Sequence, residues 1–177
     1  REELFRDKVI QFQDGMEVPF FVTIDLEGCQ NPFAAFHNFT AASEVATEGA
    51  AFEKGSSEGE YLSALGVTIN FAPVVDLKDT LWKCRSYPGD ARQIADLSEA
   101  YVLGLQKESV AATAKHYPGK TLVVQDPHKF LVAADISSED VYPYSRLKSS
   151  VKAVMVSHII ASGEIDSQGI PSVVSPQ

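Results

Sequence analysis

The sequence predicts an α/β fold of (β/α)8-barrel (TIM-barrel) type, with roughly four βα units, about half of such a barrel, present in the chain. Three observations lead there. Four apolar runs recur with helical patterns between them, and every run closes on a carboxylate or a histidine. The third is length: 177 residues fall well short of the ~250 of a typical complete barrel. Near-continuous apolar runs suit parallel strands covered on both faces. Strand–helix alternation supplies the crossovers that a parallel sheet needs. Titratable residues at strand ends favour a barrel over an open sheet, because barrel sites are assembled from those ends.

Taken in order, the first run is Phe20-Phe21-Val22-Thr23-Ile24, closing on Asp25. Residues 43–65 then read as a helix, with Glu44, Glu48, Glu53 and Glu58 as its solvated face. Gly49, Gly55 and Gly59 weaken its interior. The second run, 67–75, closes on Asp76. Residues 90–107 make a stronger helix, with Asp90 as N-cap, Ile94, Leu97, Tyr101 and Leu105 at helical spacing, and Lys107 in the last turn. The third run, 110–114, empties into Lys115-His116. Ser137-Ser138-Glu139-Asp140 has a capping-box pattern and opens a helix to about Ser150, with Pro143 near its first turn. The fourth run, 153–156, ends at Ser157-His158. No internal repeat, low-complexity tract or linker interrupts residues 1–177, which read as one partial barrel domain without a second. Half a barrel leaves two sheet edges to pair or aggregate, and the oligomeric state stays open.

Composition narrows the function. Hydrophobic content of 45% and charged content of 22% are ordinary for a folded domain. A net charge of −9 argues against nucleic acid or an anionic membrane surface as partner, since phosphate binding needs a basic footprint. No apolar run approaches the ~18–20 residues needed to span a bilayer. Cys29 and Cys84 form no C-x-x-C pair and read as free thiols of a reducing compartment, so a cytoplasmic location is expected. The N-terminus lacks a signal-peptide layout, and the sequon Asn38-Phe39-Thr40 matters only for an exported protein.

The densest chemistry is Lys115-His116-Tyr117-Pro118-Gly119 followed by Asp126-Pro127-His128. A buried strand that empties into a cation, two imidazoles, a carboxylate and a Pro-Gly turn is how an α/β enzyme presents reactive groups. The bland readings are specific. His37 lies in an aromatic stretch and reads as packing. His158 either caps the barrel floor or lines a pocket, Asp76 either ties a loop or acts in the site, and Trp82 either packs or stacks on a ligand. A metal centre built from Asp25, Asp76, His116 and His158 is a third class of reading. No His-x-His or H-E-x-x-H spacing supports it, so neither metal nor cofactor is expected.

Five segments in order, Leu65 through Asp76, Arg85-Ser86-Tyr87, Ala114 through Gly119, Asp126-x-His128 and Ala153 through His158, resemble glycoside hydrolase family 3. They follow the barrel domain of its β-N-acetylglucosaminidase members. Asp25-x-Glu27-Gly28 resembles an earlier motif of that family, and the likeness runs from about Pro19 to the end. The resemblance implies a retaining glycosidase cleaving terminal β-linked amino sugars, such as a β-N-acetylglucosaminide. It implies His128 as general acid/base with Asp126 as its carboxylate partner, and Asp25, Arg85, Lys115 and His116 as sugar-binding residues. The chemistry suits these roles. Imidazole, titrating near ~6.5 in water, can protonate a leaving oxygen and later deprotonate water. A carboxylate on its other nitrogen fixes the tautomer, and charged groups make the stronger hydrogen bonds to hydroxyls.

The departures from the family pattern are equally specific. The loop 120–125 is apolar and β-branched, so a stiffer loop is expected. Pro127 restricts Asp126 to extended backbone. Cys29 replaces a glycine, and Phe33 stands where the family has an arginine, which weakens the case for an anhydro-muramyl substrate. The nucleophilic Asp that the family places on the next strand is expected downstream of Gln177. Two alternatives stand beside hydrolysis: a non-catalytic sugar-binding remnant, and a phosphorylase of the same family.

Overall fold

The structure is a computed structural model that describes residues 2–120 and 125–176. Its elements are α1 (Glu2–Gln13), β1 (Thr23–Ile24), α2 (Glu48–Ala64), β2 (Ile69–Asn70), α3 (Ala91–Lys107), β3 (Ala111–Tyr117), β4 (Ala133–Ile136), α4 (Ser138–Leu147), β5 (Ala153–Val156) and β6 (Ile160–Gly163), with short 3-10 turns at Ala42–Glu44 and Ser172–Val174. The four anticipated runs assemble into one parallel sheet, ordered β1-β2-β3-β5. Thr23 pairs with Ile69, Ile69 with Ala111, and Thr113 with Ala153, so all four strands point their carboxyl ends the same way.

The regular part of β2 is shorter than its apolar run. Beyond Asn70 the chain keeps company with its neighbours through the Phe71 N–H to Ile24 carbonyl bond at 2.8 Å and the Val75 N–H to Lys115 carbonyl bond at 2.9 Å. Between them Pro73 has no N–H to donate, yet its carbonyl accepts from Lys115 N at 3.1 Å and keeps the chain against β3.

Helices α2 and α3 pack on each other and cover the sheet, and Gly55 of α2 with Gly104 of α3 explains how. A Cβ at Gly55 would lie 2.2 Å from the Tyr101 carbonyl oxygen, and one at Gly104 would lie 2.2 Å from that of Phe52. The residues that weaken the isolated helix are the ones that let two backbones touch. The apolar stripe of α3 behaves as its spacing predicts, with Ile94, Leu97, Tyr101 and Leu105 all buried. Asp90 caps α3, accepting from Arg92 N at 3.0 Å and Gln93 N at 2.9 Å. Ser137 and Asp140 form the capping box of α4, with the Ser137 N–H donating to Asp140 Oδ2 at 2.8 Å. Pro143 sits deeper than expected, as the sixth residue of α4, where it removes one intrahelical bond.

Several expectations are corrected. Glu58 does not belong to a solvated face: it is fully buried, ion-paired to Lys54, and accepts from the Tyr101 hydroxyl at 2.6 Å. Burial pushes its carboxyl upward, against the opposing pull of Lys54. Cys29 and Cys84 are not free thiols but a disulfide, with Cα atoms 6.1 Å apart across 55 residues of sequence. Proximity of that kind is a tertiary fact that spacing along the chain does not encode. Strands β4 and β6 form a second, two-stranded parallel sheet with its own apolar cluster of Val132, Ile136, Ile159 and Ala161. Helix α1 lies on the surface with no buried residue, anchored by Phe5 edge-on to Phe33 at 5.7 Å. Of the loop expected to be stiff, residues 121–124 lie outside the described residues. Among the described residues no helix is long and apolar enough to cross a membrane.

Candidate active site

The site forms where the four parallel strands end. Asp25 follows β1 directly; Arg85 lies in the segment after β2; Lys115 and His116 belong to β3; His128 lies in the loop after β3; and His158 follows β5 by two residues. Asp25, Arg85, Lys115, His116, His128 and His158 line one cavity of about 380 Å³, together with Glu27, Gln30, Phe71, Trp82, Pro127, Met155, Val156 and Ser157. Asp126 is not in the lining. It stands behind His128, its Oδ1 2.8 Å from His128 Nδ1 and 3.0 Å from the His128 backbone N. The backbone N–H of His128 first, and its ring second, hold the Asp126 carboxyl below the usual range. Pro127 therefore leaves the pair free to form.

The cavity floor is charged and buried. Lys115 is 2% exposed. Its ammonium bonds Asp25 Oδ1 at 2.7 Å and also pairs with Glu27. Glu27 in turn receives a bidentate clamp from Arg85, with Nε donating to Oε2 at 2.5 Å and Nη2 to Oε1 at 2.9 Å. Two cations sharing one carboxylate in a dry place hold one another in fixed geometry. Asn70 fixes the backbone just ahead of Glu27, accepting from Leu26 N at 2.9 Å and donating to the Leu26 carbonyl at 2.8 Å.

Asp76 acts through His116. Its Oδ2 lies 2.8 Å from His116 Nδ1, which orients the ring toward the cavity. Trp82 lays its ring over the Arg85 guanidinium at 4.5 Å and meets the His128 ring edge-on at 6.5 Å, so it both packs and faces the cavity. His37 packs, as expected, between Phe39 at 4.4 Å and Tyr61 at 5.0 Å. Among the described residues no group of three His, Cys, Asp or Glu side chains gathers in a metal-holding arrangement. Asp25 and Asp76 are instead engaged by Lys115 and His116.

Sequence reasoning passed over Glu27 as a site residue. The available signal was its place two positions after Asp25 at a strand end, on the opposite flank of an apolar Leu26. Its role depends on Arg85, 58 residues away, and so stays hidden along the chain.

A protein-family model for the glycosyl hydrolase family 3 N-terminal domain matches residues 2–177. The chain belongs to this family. A β-hexosaminidase of Haemophilus influenzae is 29% identical over 187 residues, covering 94% of this chain and 52% of that protein. A β-hexosaminidase of Bordetella avium is 32% identical over 171 residues, covering 85% of this chain and 49% of that protein. The solved family 3 β-N-acetylglucosaminidase of a Paenibacillus species superposes with a TM-score of 0.82 at 26% identity, over 96% of this chain and 36% of that one. The family 3 chain thus spans about half the length of these β-hexosaminidase relatives. Its parallel sheet is part of the family's barrel-type N-terminal domain, as the sequence predicts.

Proposed function

We propose that this chain forms the saccharide-binding part of a retaining glycosidase barrel that takes terminal β-linked N-acetylglucosaminides. The observation that carries the reading is the convergence of Asp25, Arg85, Lys115, His116 and His128 on one cavity at the strand ends. A polyol needs many directed donors and acceptors held rigid, and the buried Lys115–Glu27–Arg85 cluster provides that rigidity. The amino-sugar preference is carried over from the names of the β-hexosaminidase relatives.

In this reading His128 is the general acid/base. Asp126 on Nδ1 leaves Nε2 to meet the glycosidic oxygen, donate a proton as that bond breaks, and later take one from water. A retaining mechanism needs a second group as nucleophile. The two carboxylates lining the cavity are already ion-paired, Asp25 to Lys115 and Glu27 to Lys115 and Arg85, which supports the expectation from the family resemblance that the nucleophile lies downstream of Gln177. The cytoplasmic expectation rested on free thiols. With the pair bridged, an oxidising compartment fits better, because such bridges persist there.

The test is a titration of this chain with β-linked N-acetylglucosamine disaccharide, read by the fluorescence of its single tryptophan, Trp82. Saturable binding that Lys115→Met abolishes is expected. No binding at any sugar concentration would end the reading, and turnover of an aryl N-acetyl-β-glucosaminide by this chain alone would contradict the assignment of the nucleophile.

A further inference from the structure

The disulfide falls at the two places where it can act on the site. Cys29 comes two residues after Glu27, and Cys84 immediately precedes Arg85. The bridge therefore joins the loop after β1 to the segment after β2 beside the buried Glu27–Arg85 clamp.

The rest of the segment is organised around the same point. Asp79 gathers the backbone N–H groups of the turn, among them those of Trp82 at 2.8 Å, Cys84 at 3.0 Å and Arg85 at 3.0 Å. The Cys84 carbonyl accepts from Ser43 N at 3.4 Å. From this turn Trp82 reaches across Arg85 to the edge of His128. Arg85 and Trp82 both line the cavity, so a displacement at Cys84 is felt by both. Cys29 is exposed, which leaves the bridge open to a reductant.

We propose that Cys29 and Cys84 are positioning residues for the sugar site: their bridge holds the Glu27–Arg85 clamp and Trp82 in place, so that sugar affinity follows the oxidation state of this pair. The proposal rests on the saccharide-binding reading above. The chemistry is ordinary thiol–disulfide exchange. A thiolate of a dithiol attacks one sulfur, the S–S bond breaks and a mixed disulfide forms. The second thiol of the reductant resolves it, leaving two protein thiols and a cyclic disulfide; two electrons and two protons pass to the protein. Reduction frees the Cys84 end of the segment, and Arg85 loses the constraint that keeps its guanidinium on Glu27.

The experiment uses the whole chain in three states: oxidised, reduced with dithiothreitol, and re-oxidised with glutathione disulfide. N-acetylglucosamine is titrated while Trp82 fluorescence reports binding. We expect affinity to fall at least tenfold on reduction and to return on re-oxidation, with the far-UV circular dichroism unchanged throughout. The Cys29→Ser/Cys84→Ser pair should match the reduced chain in either buffer. Glu27→Gln should weaken binding in the oxidised chain but add little in the double-serine chain, the non-additivity expected of residues acting as a unit. Equal affinity in both redox states, additive effects of the two changes, or loss of the circular dichroism signal along with affinity would each overturn the positioning role. An oxidised chain that binds no sugar would instead overturn the saccharide reading. The bridge would then be judged by the Arg85 Nε–H resonance in nitrogen–proton correlation spectra. Its loss on reduction is expected, and its persistence would overturn the proposal.

Discussion

His116 and His128 each hold a carboxylate 2.8 Å from Nδ1, yet they live in opposite surroundings. The His116–Asp76 pair sits at the end of the parallel sheet, with side chains 13% and 0% exposed. The His128–Asp126 pair sits on the loop after β3, with side chains 64% and 25% exposed. One geometry therefore serves two purposes. In the first pair a fully buried carboxylate fixes a ring at the cavity wall, and losing either partner leaves the other without its hydrogen bond. In the exposed pair solvent screens the interaction, so it contributes little to stability. The ring keeps a nitrogen accessible for proton exchange with a ligand. The two pairs share a distance and differ in burial, and the proposed proton shuttle is the exposed one.

The comparison can be pressed first in the charged cavity floor, where one buried carboxylate serves two cations. Glu27→Ala strands the Arg85 guanidinium and the Lys115 ammonium without their shared carboxylate. A loss of about 3–5 kcal/mol is expected, measured by urea denaturation. Asp76→Ala removes the acceptor from the His116 ring and backbone N–H, and should cost about 1.5–3 kcal/mol in the same assay. Asp126→Asn should change stability by less than about 1 kcal/mol. If Asp126→Asn costs as much as Asp76→Ala, the contrast drawn from burial is broken.

The smallest effect is one of pH. Burial alone would raise the Asp79 carboxyl, but the backbone N–H groups of Arg85, Trp82, Lys83 and Cys84 outweigh it and hold the group below its ordinary value of 3.8. A depressed carboxyl contributes stability that is present above its unfolded value and is lost as pH falls through the folded one. In a His128→Gln chain, which removes the imidazole in contact with Trp82, emission should accordingly stay level from neutrality down to about pH 3.8 and shift only below it. A shift beginning well above that value would show that Asp79 does not organise the turn.

The sheet was legible because its strands are apolar runs that end abruptly in charge. Residues 20–25, 67–76, 110–116 and 153–158 carry that signature, and the tips of the first, third and fourth, with Phe71 of the second, line the cavity. Strands β4 and β6 were not legible. Asp135 interrupts the first, and the second, Ile160 through Gly163, pairs one buried position with Ser and Gly. Gly55 and Gly59 of α2 read as breaks because propensity counts backbone freedom, whereas in the fold they allow close contact with α3 and its C-terminal end. Glu58 looked solvated because its partners Lys54 and Tyr101 are supplied by the fold, one of them from another helix. The bridge and the Glu27–Arg85 clamp join positions 55 and 58 residues apart, and only the register of β1 on β2 brings them together.

The shuttle is the claim on which the function turns, and histidine-selective nitrogen NMR reads it most directly. The β-linked N-acetylglucosamine disaccharide should move the His128 ring resonances with the same saturation that Trp82 fluorescence reports, while the His116 ring keeps its hydrogen-bonded Nδ1 signal. Sugar that saturates Trp82 and leaves the His128 ring unmoved would contradict the account.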